Sequence, residues 1–225
     1  MDKIKNKIKK NKKPWLTQKA MEQIYDLNLW GGNKTEFYSG FGSHHPELVQ
    51  PYRDMVKSFL TSFDVPLTVL DLGCGDFNIG KELYKYSKNY IAIDIVEDLI
   101  NYNTEKYKED NLEFRCLDIA KDNLPKADCV IIRQVLQHLS NAEVESILNK
   151  LSNYKYLILT EHLPNGIFEP NKDIISGQGI RIKKQSGLDI LKPPFNFKVK
   201  SKKEVLSIDL ADGKGIVVTW CFEVF

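Results

Sequence analysis

The sequence has few features that would place it outside the ordinary globular class. Its four cysteines, Cys74, Cys116, Cys129 and Cys221, are scattered, with no CxxC pair and no histidine at zinc-finger spacing. Neither a disulfide framework nor a metal site is expected. Long apolar runs are also missing, since even the stretch around Cys129–Ile132 is too short to span a bilayer, and no secretory segment is recognisable. These absences point to a cytoplasmic chain with no membrane partner. No basic stripe with interleaved aromatics runs through the body, so nucleic acid is not expected as the main partner.

What is present is a core-forming composition of 42% hydrophobic and 28% charged residues in 225, enough for one substantial α/β unit. The formal charge of +2 is uneven: residues 1–13 hold seven lysines and one aspartate, a local +6 that leaves the remainder at −4. A solvated tail is the plain reading of that start, and contact with RNA or an anionic lipid is the alternative. The chain divides into residues 1–64, carrying the lysine-rich tail, helices and a covering loop, and residues 65–225, the core.

Residues 15–29 and 46–63 show helical spacing of apolar positions, with Thr17 a candidate cap and Pro46 suited to a first turn. Between them, WGGNKTEFYSGFGSHHP combines glycines with aromatic rings, the chemistry of a site loop. Strand-like runs then begin at 67, 90, 112, 128 and 154, with helical stretches expected over 79–87, 97–108 and 141–152. Such alternation predicts a parallel sheet with helices on both faces. Two further strand-like runs around Asp212 and Gly213 predict an antiparallel hairpin at the end.

The most informative segment is VLDLGCGDFNIG, where an apolar strand runs into Gly73 and Gly75. Glycines there permit a tight turn and close backbone approach. A dinucleotide fingerprint asks for a third glycine where Asn78 stands, and Asp71 beside the bend would repel a pyrophosphate, so a cationic ligand fits better. Asp94 ends the next strand 19 residues after Gly75, the place where a carboxylate accepts hydrogen bonds from ribose hydroxyls. Asp118 follows the third strand, with Ile119 beside it as an apolar ring contact.

DLGCG, the Asp94 acid, LDIA and DCVIIRQVLQHLS together resemble the successive motifs of class I S-adenosylmethionine (SAM) dependent methyltransferases, over about residues 65–162. The resemblance implies a Rossmann-like sheet of seven strands, mostly parallel, with an antiparallel C-terminal hairpin. It also implies SAM as cofactor, with Asp71, Gly73 and Gly75 at the methionine part, Asp94 and Ile95 at the ribose, and Asp118 and Ile119 at the adenine. Arg133 and Gln134 are expected near the methionine end, Arg133 as a carboxylate contact or as one half of a sheet-edge salt bridge. The segment WG…SGFGS resembles more loosely a group of bacterial small-molecule methyltransferases, some associated with sugars. That likeness implies that Trp30, Tyr38, Ser39, Gly40 and Ser43 cover the cofactor; His44 and His45, in the same glycine-rich entry loop, are candidates with Tyr38 to gate or contact substrate.

Methyl transfer demands alignment and dryness more than catalytic groups, but an alcohol acceptor needs a base. His162, with Glu161 beside it, is the leading candidate at the carboxyl edge of the sheet. His138 is a further candidate or a packing group. The long segment 163–195 is read as a substrate lid, in which Arg181 either recognises an anionic group or belongs to a solvated charge run. The function expected is therefore methyl transfer to a small-molecule acceptor, an oxygen on a polar or anionic metabolite or sugar. Nucleic-acid methylation, SAM binding without catalysis and nicotinamide chemistry are the alternatives.

Overall fold

The computed structural model describes residues 15–33 and 36–225. The lysine-rich residues 1–13 lie outside the described residues. In chain order the regular elements are α1 (Thr17–Asp26), α2 (Pro46–Leu60), β1 (Thr68–Leu72), β2 (Asn89–Asp94), α3 (Glu97–Lys106), β3 (Leu112–Cys116), β4 (Cys129–Arg133), α4 (Asn141–Leu151), β5 (Tyr156–Leu163), β6 (Ser201–Asp209) and β7 (Ile216–Glu223). The strands form one sheet in the order β3-β2-β1-β4-β5-β7-β6. Strands β1 to β5 pair in parallel, and β7 runs antiparallel to both β5 and β6. This is the Rossmann-like arrangement with its antiparallel end.

Strand alternation builds two cores. Leu70, Leu72, Ile91, Ile93, Val130, Ile132, Leu157 and Leu159 pack under α1, α3 and α4, whose inner residues include Met21, Leu99, Val144 and Ile147. The interleaved Val69, Tyr90, Ala92, Ile131 and Ile158 pack under Tyr52, Val56 and Leu60 of α2. Helix α4 starts at a full capping box, in which the Ser140 hydroxyl accepts from Glu143 N–H and the Glu143 carboxylate accepts from Ser140 N–H.

Local expectations fail where packing overrides pattern. Residues 79–87 form two short 3₁₀ turns, Gly80–Glu82 and Tyr84–Tyr86, instead of a helix. Phe77 packs against the first of them: its ring is fully buried, and it lies so close to Gly80 that a Cβ there would approach Phe77 Cε2 to 2.1 Å. Thr17 does not cap α1, whose N-cap is Leu16; the Thr17 hydroxyl donates to Glu143 instead. Among the described residues no helix is long and apolar enough to cross a membrane.

The segment between β5 and β6 is a buttress where a lid was expected. Apart from a 3₁₀ turn at Arg181–Lys184 it is irregular, yet Leu188 and Ile190 join the core. Arg181, read from sequence as a candidate anion contact, is 1% exposed and pegs the segment to the body. Its guanidinium donates to the carbonyls of Leu136 and Leu139 at 3.1 and 2.8 Å and to Asn141 Oδ1 at 2.6 Å. Both terminal nitrogens are therefore used internally, and burial keeps the guanidinium from an outside anion. Behind it lies Glu161, fully buried, with neither carboxylate oxygen holding a hydrogen-bond partner. Burial pushes its carboxyl up to about 8, against the pull of the Arg181 charge.

Two stability predictions follow from this pair. Arg181→Met should lower the urea midpoint by the equivalent of about 1–3 kcal/mol for each buried acceptor left unpaired; a variant as stable as the wild type would remove Arg181 from this role. The folded chain retains a proton on Glu161 that an exposed glutamate loses above about 4.5. That contribution to stability is complete in acid and is lost as pH rises through about 8. Glu161→Gln should therefore show a shallower fall of melting temperature between pH 5 and pH 9, and melting profiles parallel to the wild type would refute the assignment.

Candidate functional site

The site grows from the bend that follows β1. Gly73 and Gly75 adopt φ of 80° and 55°, a region that favours glycine. Gly73 N–H and Cys74 N–H donate to the carbonyl of Ile93 in the neighbouring strand at 2.8 and 2.9 Å. The Asp94 carboxylate completes the seam, accepting from Gly75 N–H at 3.1 Å and from Val96 N–H at 3.2 Å. Burial raises its carboxyl above the usual range, and the backbone donors act in the opposite direction. A Cβ at Gly73 would lie 2.3 Å from Val135 Cγ2, so the bend admits no side chain.

Above this bend is a cavity of about 250 Å³. Its wall runs from Asp94, Ile95, Leu117, Asp118, Ile119 and Ala120 at one end, past Gly73, Gly75, Arg133, Gln134 and Val135, to Gln137, His138 and Leu139. Thr17, Met21 and Tyr25 of α1, Trp30, the strap 39–43 and Glu143 close it from above. Asp118 is oriented by Ala120 N–H at 3.0 Å and Lys121 Nζ at 2.6 Å.

The strap is held by a residue that sequence reasoning passed over. Asp76 accepts from Ser39 N–H at 2.8 Å, pairs with His44 Nε2 at 2.6 Å, and through its own N–H donates to Ser39 Oγ at 2.7 Å. Tyr25 shares a hydrogen bond of 3.0 Å with Ser39 Oγ, and Asn78 Nδ2 donates to Ser43 O at 2.8 Å. Arg133 secures the far end by donating to Gly42 O at 2.6 Å. The only sequence signal for Asp76 was its place directly after Gly75.

The structure brings Trp30, Ser39, Gly40, Gly73, Gly75, Asp94, Ile95, Asp118, Ile119, Arg133, Gln134 and His138 to one wall. Other candidates lie elsewhere. Asp71 points to the opposite face, where it accepts from Tyr90 OH at 2.9 Å and lines a separate cavity of about 30 Å³ with Tyr52, Tyr90 and Arg133. Burial pushes its carboxyl up to about 7. Tyr38 and His44 stack on each other with ring centres 4.3 Å apart, and His45 packs on Phe41 at 4.4 Å; none of the three lines the cavity.

The histidines separate clearly. His162, the leading base from sequence, is turned toward β7, where its Nε2 meets Lys214 O at 2.8 Å; neither it nor Glu161 reaches the wall. The two leave β5 on opposite faces, Glu161 toward the Arg181 charge and His162 toward the turn that precedes β7. His138 does reach it. Its Nδ1 lies 3.1 Å from the carbonyl of Gly177, so the proton sits on Nδ1 and Nε2 is the acceptor, with the Gln137 amide nitrogen 3.4 Å away. Burial pulls its pKa down to about 4, so the ring is neutral. Among the described residues no cluster of three His, Cys, Asp or Glu side chains is arranged to hold a metal.

Residues 69–154 match the family model described as a methyltransferase domain. A malonyl-[acyl-carrier protein] O-methyltransferase of Acetivibrio thermocellus is 35% identical over 106 residues, 44% of this chain and 37% of that protein. An uncharacterized RNA methyltransferase of Chlamydia pneumoniae is 30% identical over 132 residues, 54% of this chain and 32% of that protein. The aligned part thus spans about a third of each curated relative. Among solved structures, the N-methyltransferase NodS of Bradyrhizobium japonicum, in complex with S-adenosylhomocysteine (SAH), superposes with a TM-score of 0.63 at 11% identity, covering 91% of this chain and 98% of that one. Residues 69–154 are thus similar to a methyltransferase domain, and the fold of the chain is the Rossmann-like fold that NodS also has.

Proposed function

We propose that the chain is a SAM-dependent methyltransferase acting on a small-molecule acceptor. The observation that carries this reading is the Asp94 carboxylate, fixed across the Gly73 to Gly75 bend at the floor of the cavity. Each of its oxygens holds one backbone N–H and keeps a lone pair for a further donor. Two ribose hydroxyls fit that acceptor pair. Asp118 and Ile119 frame the adenine at the same end, and Gly73 leaves room for the methionine part.

Electrostatics supports the same ligand. Among the described residues, Asp94, Asp118 and Glu143 line the cavity, no lysine does, and the one cationic side chain on the wall, Arg133, donates to the strap. A pyrophosphate would meet repulsion there, whereas a sulfonium is attracted. When bound, SAM supplies a methyl group on positively charged sulfur, and the chain's task is to align the acceptor and keep water away. Trp30, Ser39 and Gly40 do the latter by closing over the bend. The finer expectation of an anionic oxygen acceptor rested on His162 and Arg181, and neither faces the cavity. The four free cysteines suit a reducing compartment, the cytoplasm.

Calorimetry tests the cofactor assignment. The wild type should bind SAM and SAH, and no heat at millimolar ligand would overturn the reading. Asp94→Ala should weaken SAH by about 10- to 100-fold, as expected for losing hydrogen bonds to a charged group worth about 1.5–3 kcal/mol; unchanged affinity would move the ribose elsewhere. Asp76→Ala should leave the bend intact but release the strap. Faster amide hydrogen exchange over residues 39–45 is the expected result, and unaltered protection would show that Asp76 does not hold it.

A further inference from the structure

Given the cofactor placement above, on which this inference rests, the wall beyond the bend identifies the acceptor. The sheet order places β4 on the side of β1 opposite β2, so the residues after β4 lie away from the ribose and adenine end. There the wall consists of Trp30, Phe41, Gln137, His138 and Leu139. Trp30 packs against the His138 ring at 5.3 Å and against Tyr25 at 5.5 Å, so this end is aromatic.

We propose that this end of the cavity is built for an amine nitrogen, whose N–H is accepted by His138 Nε2 while its carbon frame lies against Trp30 and Phe41. His138 is a positioning and specificity group here. Its tautomer is set from behind, because Nδ1–H is committed to Gly177 O, and the lone pair of Nε2 is left toward the ligand with only the long 3.4 Å approach of Gln137.

Competing acceptors fare worse against the same wall. An alcohol must lose its proton to a base within hydrogen-bond reach. The ionisable groups on the wall are Tyr25, Asp94, Asp118, Arg133, His138 and Glu143. Glu143 already accepts from Ser140, Ser176 and Thr17, Asp94 from two backbone amides, and Asp118 from Lys121. Neutral His138 is too weak a base, and burial holds Tyr25 protonated. A carboxylate acceptor would need a cation that presents a two-pronged donor to it; among the described residues only Arg133 is on the wall, and its Nη2 is committed to Gly42 O and its guanidinium stacked over Tyr52 at 4.9 Å, leaving Nε as its one unpartnered nitrogen.

An amine needs neither. Burial beside a sulfonium favours its neutral form over ammonium. Its lone pair forms the N–CH₃ bond as the sulfur–methyl bond breaks, the bonding pair returning to sulfur as a neutral thioether. The product leaves as the N-methylammonium with both its protons, so no enzyme base is consumed.

The test uses the full chain saturated with SAH and three matched probes, benzylamine, benzyl alcohol and benzoate, titrated by calorimetry. Benzylamine should bind at least about tenfold more tightly than the other two. His138→Asn preserves a donor for Gly177 O and His138→Phe preserves the ring on Trp30, but both remove Nε2. Each should erase most of the amine preference and, in turnover with SAM, raise the KM for benzylamine about tenfold while the KM for SAM is unchanged. Tighter binding of benzoate or benzyl alcohol, or no binding of any probe while SAH binds, overturns the proposal. Preference retained in both variants removes His138 from it. Failure of SAH itself to bind is a different result, which brings down the cofactor reading and this inference together.

Discussion

The carboxylate of Asp94 is the constraint on which the site depends. It belongs to the end of β2 but one of its hydrogen bonds crosses to Gly75 N–H in the bend after β1. The two loops that leave the sheet at adjacent positions are thereby tied at their first residues, and a second tie runs from Ile93 O back to Gly73 and Cys74. Asn103 of α3 donates to Gly75 O at 2.8 Å, so the bend is fixed on its other side as well. A ligand binding here meets acceptors already in place. Little ordering cost then falls on the binding step.

Strand alternation at the carboxyl edge decides which chemistry faces that bend. Asp71 and Arg133 both stand at strand ends, but Asp71 projects to the α2 face alone, whereas Arg133 borders the cavities on both sides. On the α2 face Tyr90 bonds Asp71, and Arg133 packs over Tyr52. At the end of β5 the same rule sends Glu161 toward the Arg181 buttress and His162 toward the Lys214 carbonyl. Of four polar groups that look equivalent along the chain, only Arg133 lines the main cavity, and the other three hold the frame. The buttress matters to the site because Arg181 grips the carbonyls around His138, and Gly177 from the same segment orients the imidazole.

That division explains what was legible in the sequence. The sheet, its order of motifs and the bend could be read because glycine at Gly73 and Gly75 and an acid at the next strand end are local requirements. Hydrophobic alternation likewise announced the buried strands. The direction of His162 was not legible, since one residue of register reverses a side chain and no composition cue records it. Arg181 misled for a different reason: a basic residue in a long loop looks solvated until the carbonyls it satisfies are brought next to it by the fold. Asp76 was visible as a letter beside Gly75, but its partners Ser39 and His44 lie more than thirty positions earlier. The 3₁₀ turns at Gly80–Glu82 and Tyr84–Tyr86 escaped because the apolar spacing there looks helical, and the buried Phe77 ring that packs on Gly80 is not visible in that spacing.

The strap sets a further condition on any reaction in this cavity. Arg133 borders both cavities and donates to Gly42 O, while Asp76, one residue beyond the bend, holds Ser39. The closing segment is therefore clamped by the ends of β1 and β4, the two strands that flank the methionine position on the proposed reading. Opening it must break charge-assisted hydrogen bonds at both clamps, each stronger than a neutral one. A Cβ at Gly42 would stand 2.1 Å from Gln134 Oε1, so the strap seats directly on the residue that follows β4. The same contact that excludes water thus fixes the start of the segment leading to His138. On the proposed reading, sealing the cofactor and placing the acceptor are coupled through this contact.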